Sequence, residues 1–212
     1  LRTNCRRTTE RAAKDLIDLI QRGGQAVKSM EMKYSAAALG TTLVGVPDLV
    51  LGKPLTEGTT TAGATTAIID FKWSGYTYRK KEVSEGAAYQ LACYSLLTRS
   101  PGEAAFPPAA YYILRNHRLL TVTDDILPGI SGLEGPQLSE TLDGLARSYQ
   151  DIREELKEGR VRAAGNPLDG DDFPGQPPVE ESCLSGGRLE LAPPCRFCDY
   201  EVLCGLESGG EA

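Results

Sequence analysis

The 212-residue chain is 41% hydrophobic and 25% charged with a mean hydropathy of −0.27, the balance of one soluble domain, or a domain with an appendage, that can bury a core. A formal charge of −6 argues against a polycationic coat for nucleic acid, and a single histidine excludes any site built from several imidazoles, leaving a Ser-His-Asp triad only His117 to run through. The six cysteines are uneven: Cys5 and Cys93 stand alone, whereas Cys183, Cys195, Cys198 and Cys204 crowd the C-terminal end, which reads as a metal or cluster site in a reducing, cytoplasmic compartment rather than a secreted disulfide scaffold.

In chain order, residues 8–22 form a helix candidate, with Ala12, Ala13, Leu16, Ile17 and Ile20 on one face, a Thr8 or Thr9 cap and Gly23-Gly24 as the stop. Strands are expected weakly over 30–34, more strongly over 43–51, and most strongly over the β-branched run 65–72, with a Gly/Thr-rich hairpin loop at 57–63. Residues 84–97 read as a second helix bearing Ala87, Leu91, Tyr94 and Leu97. Two short strands, 110–114 and 119–122, join across Arg115, Asn116, His117 and Arg118, which puts His117 in a surface turn. Leu138, Leu142, Leu145, Tyr149, Ile152 and Leu156 then repeat at the spacing of a long amphipathic helix. The Pro-, Gly- and Asp-rich stretch 165–181 is a linker. The expected organisation is an α/β core over 1–164, a linker over 165–182 and a Cys-rich tail over 183–212. No stretch approaches the ~18 apolar residues of a membrane span, and residues 1–10 lack a signal peptide's apolar region, so no membrane partner is expected. The chain opens on Leu1 with both methionines internal, as a trimmed or excised segment would.

Chemistry enters at Val46-Pro47-Asp48 and Ile69-Asp70-Phe71-Lys72. Each carboxylate sits in or beside an apolar strand, where propensity disfavours it. Two carboxylates converging from adjacent strands make a hard-oxygen site suited to Mg²⁺ or Mn²⁺. Lys72, two residues past Asp70, shares its strand face and can orient or help deprotonate a water and offset phosphate charge. Metal plus lysine is a phosphodiester-hydrolysis constellation. The plainer alternative makes Asp48 a turn residue and Asp70 and Lys72 solvated edge-strand charges.

Gly45-Val46-Pro47-Asp48, the hairpin, Asp70-Phe71-Lys72 and Gln90-x-x-x-Tyr94 together resemble the PD-(D/E)xK nuclease superfamily, and within it the RecB/AddB-type branch. The resemblance spans residues 30 to about 122. It implies a restriction-endonuclease-like core, a mixed central sheet flanked by helices, with a small Cys-rich tail. It further implies that Asp48, Asp70 and the Phe71 carbonyl bind the metal, that Lys72 is the catalytic lysine, and that Gln90 and Tyr94 lie against the active site and the DNA strand. Gln90 and Tyr94 are four apart and so share a helix face, although an aromatic at that spacing also fits a core. Family members commonly add a His or Glu from an early helix. Glu10 and Glu31 are weak stand-ins, and a helix preceding Leu1 is the simpler expectation.

Cys195, Cys198 and Cys204 give a C-x2-C-x5-C spacing, which lets thiolates reach one metal centre but does not separate zinc from iron–sulfur. The resemblance to AddB-type nucleases implies a 4Fe-4S cluster whose fourth ligand lies upstream of the core. Cys5 is preferred for it, with Cys183 or a ligand before Leu1 as alternatives, and Cys93 reads as a small core residue. Arg2, Arg6, Arg7 and Arg11, together with Arg79, Lys80 and Lys81, offset the acidic tail, and Trp73 and Tyr76 are candidates for stacking on single-stranded bases. The function read from all this is a Mg²⁺- or Mn²⁺-dependent deoxyribonuclease acting on single strands or duplex ends in recombination or repair, with a helicase domain or subunit as partner. The rivals are a non-catalytic nucleic-acid-binding or scaffolding module that keeps the fold and, less favoured, a zinc-ribbon-tailed interaction protein.

Overall fold

The computed structural model describes residues 2–53, 65–100, 102–103, 105–160 and 181–192. Helix α1 runs Arg2–Arg22, starting six residues before the expected helix. Four strands follow, β1 Ala26–Met30, β2 Tyr34–Ala38, β3 Thr41–Gly45 and β4 Leu49–Gly52, and then β5 Thr65–Lys72. Helices α2 Tyr76–Ser84 and α3 Tyr89–Thr98 lead to β6 Ala109–Ile113, β7 Arg118–Leu120, helix α4 Leu138–Lys157 and the hairpin β8 Cys183–Ser185 and β9 Arg188–Glu190.

The main sheet has the order β1-β4-β5-β6-β7, with β5 and β6 parallel and the other pairs antiparallel. Strand alternation divides its two faces. Ile69, Ala67, Ala110 and Tyr112 face α1, where Ala12, Leu16 and Ile20 are buried and the Tyr112 hydroxyl donates to the Ala12 carbonyl at 2.8 Å. Ile68, Tyr111 and Ile113 face the other way, against Val83 of α2, Leu91 and Ala92 of α3 and Leu138 and Leu142 of α4. This is the mixed sheet flanked by helices that the sequence led us to expect. Among the described residues no helix is long and apolar enough to cross a membrane.

Three expected elements come out differently, each for a local reason. The strand over 43–51 is two strands in two sheets: β3 pairs only with β2, β4 joins the main sheet, and the chain changes partner at Pro47, which has no N–H to give a ladder. The weak strand over 30–34 is instead the end of β1 and the start of β2, separated by Glu31 with φ of +47°. The helix over 84–97 is interrupted. Gly86, with φ of +69°, closes α2 as its N–H donates to the Val83 carbonyl and that of Ala87 to the Glu82 carbonyl, the paired bonds of a Schellman stop.

Helix α4 starts on Gln137, whose N–H donates to Glu140 Oε2 at 2.7 Å. Its apolar stripe serves the core only through Leu138, Leu142 and Leu145, whereas Ile152 and Leu156 are exposed. The β8–β9 hairpin packs on the same helix: Leu189 is buried, and Ser148 Oγ donates to the Leu189 carbonyl at 2.8 Å. Thus the start of the Cys-rich tail docks on the core. His117 lies in the β6–β7 turn at φ of +53°, half-buried, with Nδ1 2.6 Å from Asp15 Oδ2 of α1.

Candidate active site

Asp48 and Asp70 reach one place through register. Leu49 pairs with Ile69 across the antiparallel β4–β5 ladder, so one step further sets Asp48 opposite Asp70, with both side chains on the face away from α1. Asp48 Oδ2 accepts the Phe71 N–H at 2.6 Å, which fixes its carboxylate and leaves its other oxygen available. Phe71 itself points to the α1 face and meets the Tyr112 ring edge-on at 6.3 Å.

Asp70 is 2% exposed. Its Oδ2 lies 2.7 Å from Lys72 Nζ but is otherwise buried with no aligned donor, while Oδ1 accepts from Gln90 Nε2 at 3.2 Å. Burial pushes the Asp70 carboxyl above its ordinary value, and the nearby Asp48 charge adds to this, with Lys72 and Arg79 pulling the other way. The alternative of solvated edge-strand charges does not describe this pair.

Gln90, from the first turn of α3, completes the cluster. Its Oε1 accepts from Lys72 Nζ at 3.0 Å, and its Nε2 donates to both Asp70 Oδ1 and the Tyr94 hydroxyl, the latter at 3.0 Å. The opposite amide orientation would set two donors face to face at the lysine, so the ammonium dictates it. Tyr94, one turn on, holds Gln90 and packs against Gly45. A Cβ on Gly45 would come within 3.0 Å of the Tyr94 ring and 2.6 Å of Leu97, so this glycine leaves room for the α3 side chains. Tyr94 therefore serves both readings of its helical spacing, core packing by its ring and a hydrogen bond by its hydroxyl, and burial keeps that phenol protonated.

Two carboxylates, each with an oxygen not committed to an aligned backbone or amide donor, fit a Mg²⁺ or Mn²⁺ ion, which typically takes one or two protein carboxylates and keeps waters and substrate oxygens in the rest of its shell. Among the described residues no group of three or more His, Cys, Asp or Glu side chains is arranged to hold a metal, so neither Glu10 nor Glu31 joins Asp48 and Asp70. Glu10 is instead paired with Arg6 on the exposed side of α1, and Glu31 is exposed.

Other expectations divide. Trp73 is exposed, but Tyr76 is packed on the core, and the exposed rings beside the site are Tyr78 and Tyr89. The basic run on α2 is substantially paired: Arg79 with Glu82 and Lys81 with Glu181. Helix α1, bearing Arg6, Arg7 and Arg11, lies on the face opposite Asp70 and Lys72. Cys5 is an exposed free thiol, while Cys93 is partly buried against the core and Cys183 is partly buried in β8. Cys195, Cys198 and Cys204 lie outside the described residues, as do most of the 165–181 linker and the loop at 57–63. Sequence reasoning passed over Glu82 and Tyr111. The i,i+3 spacing of Arg79 and Glu82 was the available signal for the first, and nothing distinguished Tyr111 from its buried neighbours.

A family model described as the PD-(D/E)XK nuclease superfamily matches residues 4–205. No curated protein and no solved structure matches the chain.

Proposed function

The chain belongs to the PD-(D/E)XK nuclease superfamily, a membership that carries a nuclease-type function, and we propose that it is a metal-dependent deoxyribonuclease. The observation that carries this reading is the closed set of one ion pair and two hydrogen bonds that joins Asp70, Lys72 and Gln90 beside Asp48. In it, Asp48, Asp70 and the Phe71 carbonyl would hold Mg²⁺ or Mn²⁺, and the ion would supply polarisation of a phosphate oxygen and a more nucleophilic water. Lys72 orients the attacking water and puts positive charge beside the phosphate as negative charge builds on it. Gln90 fixes the Lys72 ammonium by accepting one of its protons, and Tyr94 fixes Gln90, so the lysine is set before substrate arrives.

Labelled single-stranded and duplex DNA incubated with Mn²⁺ or Mg²⁺ should be cut by the wild-type chain. Cleavage should stop with EDTA and fall by about a thousandfold in Asp48→Ala. If neither substrate is cut with either metal, including by a chain extended upstream of Leu1 to supply the expected early-helix ligand, the enzyme reading fails and the non-catalytic binding module takes its place.

We further propose the RecB/AddB-type role: action on single strands or DNA ends in recombination or repair, alongside a helicase domain or subunit. The Gln90-x-x-x-Tyr94 pair, with both members turned into the cluster, supports that branch. In this reading residues 1–164 are the core, 165–182 a linker and 183–212 a tail whose Cys195, Cys198 and Cys204 join Cys5 around a 4Fe-4S cluster. Ligation needs a thiolate, and burial together with Glu190, Glu85 and Glu181 raises the Cys183 thiol, which favours the exposed Cys5. Protein purified without oxygen should be brown, with broad visible absorbance and about four irons per chain. A colourless protein with stoichiometric zinc would assign zinc instead.

A further inference from the structure

Helix α2 carries a second cation that the chemistry above does not use. Arg79 Nη1 donates to Glu82 Oε2 at 2.5 Å, and its guanidinium carbon lies 5.1 Å from the centroid of the Tyr78 ring and 5.2 Å from that of Tyr111. Glu82 and Tyr111 are themselves buried, so two of these three supports are rigid. Rotamer freedom that a surface arginine would lose on binding has here been lost on folding.

The location matters as much as the rigidity. Tyr111 is the in-register neighbour of Asp70 across the parallel β5–β6 pair, and its ring also carries Lys72 Nζ at 5.4 Å. The two cations share one ring, so they can be no further apart than their two distances to it laid end to end. The Arg79 charge is felt at Asp70, where it opposes the effect of burial. A purely structural pin from α2 to β6 would account for the ring contacts and the Glu82 bond. It leaves unexplained why a five-donor fork is used, with only Nη1 engaged among the described residues and the side chain still 27% exposed.

We propose that Arg79 is a phosphate-binding residue of the active site, donating its outward N–H groups to a DNA backbone phosphate next to the one that Lys72 serves. The assignment rests on the deoxyribonuclease reading. It makes Lys72 and Arg79, which both contact the Tyr111 ring, a two-cation cradle for consecutive phosphates, and it gives the buried Glu82 the task of aiming the second cation.

Binding of a labelled oligodeoxythymidylate in EDTA, followed by fluorescence anisotropy across a salt series, tests this without any cleavage. For Arg79→Ala the slope of log Kd against log salt should fall by about 0.7, the single-strand value for one phosphate contact, and affinity near about 0.1 M salt should weaken about fivefold. Glu82→Gln keeps the cation while loosening its tether, so it should weaken binding with the slope unchanged. If Arg79→Ala does not fold, Arg79→Gln, which retains a donor for Glu82, gives the same reading. A wild-type slope in the Arg79 variants overturns the proposal and leaves Arg79 a structural pin, with the nuclease reading intact. Absence of salt-dependent binding by the wild-type chain overturns the phosphate-binding proposal, while the cleavage assay decides the nuclease reading separately.

Discussion

Replacing Lys72 by methionine should abolish cleavage and lower folding stability at pH 7 by about 2–3 kcal/mol, read from urea unfolding. The catalytic loss, about a thousandfold or more, follows from removing the cation paired with Asp70 at the proposed site of phosphate charge. The stability loss has a separate origin. Asp70 is almost fully buried, and without the ammonium 2.7 Å from Oδ2 its charge keeps the Gln90 amide and the weaker attraction of Arg79 among the described residues. Breaking a buried ion pair from one side typically costs about 3–5 kcal/mol, and the partial exposure of Lys72 admits enough water to bring this case to the bottom of that range or just below it. The sign with pH is fixed. Burial already holds the folded pKa of Asp70 above 3.8, and losing Lys72 raises it further, so the defect is complete above the variant's folded pKa and vanishes below the wild type's. Adding Asp70→Asn should return most of the stability and none of the activity, because the amide removes the buried charge. A Lys72→Met chain that unfolds at the wild-type urea midpoint at pH 7 would show that Asp70 is not held as a carboxylate by this lysine.

Much of this site was readable from sequence because strand periodicity is rigid. Asp70 and Lys72 two apart must share a face, and Gln90 and Tyr94 four apart on a helix must do likewise. What periodicity does not encode is the break between elements. Apolar residues continue from Leu43 to Leu51, and only Pro47 marks the exchange of one sheet for another; the same holds for Gly86 in the run 84–97. The environment of each charge was also out of reach. Arg79, Lys80 and Lys81 read alike as a basic run, yet Arg79 is held over two rings by a buried glutamate and Lys81 pairs with Glu181, a hundred positions later in the chain. Those differences arise from the β5–β6 pairing and the docking of the β8–β9 hairpin, contacts distant in sequence that no local pattern announces. The α4 stripe errs in the opposite sense: its spacing continues to Leu156 although the described core does not.

The companion expectation is that Asp70→Asn is inactive yet melts no lower than the wild type at pH 7. Burial is the largest influence on Asp70, and it outweighs the attraction of Lys72 and Arg79, so the carboxyl holds its proton more tightly folded than unfolded. A group whose folded pKa is raised in this way destabilises the fold when it is ionised. The cost is complete above the folded pKa, shrinks as pH falls through it and is absent below the unfolded value of 3.8. Asparagine keeps the acceptor that Gln90 Nε2 uses and gives up only the ion pair, while Lys72 retains Gln90 Oε1 and its place over the Tyr111 ring. Thermal unfolding should therefore show the variant equal to or above wild type at pH 7, with the difference narrowing as pH falls through the raised folded pKa of Asp70 and gone below 3.8. Cleavage should fall by at least about a thousandfold, because a neutral amide is a poor ligand for a hard divalent ion. A variant less stable than wild type by more than about 1 kcal/mol would mean that pairing with Lys72 outweighs burial. Retained cleavage would remove Asp70 from the metal site. A carboxylate kept charged at a cost to the fold is a burden the structure bears for chemistry, and stability gained together with activity lost is its signature.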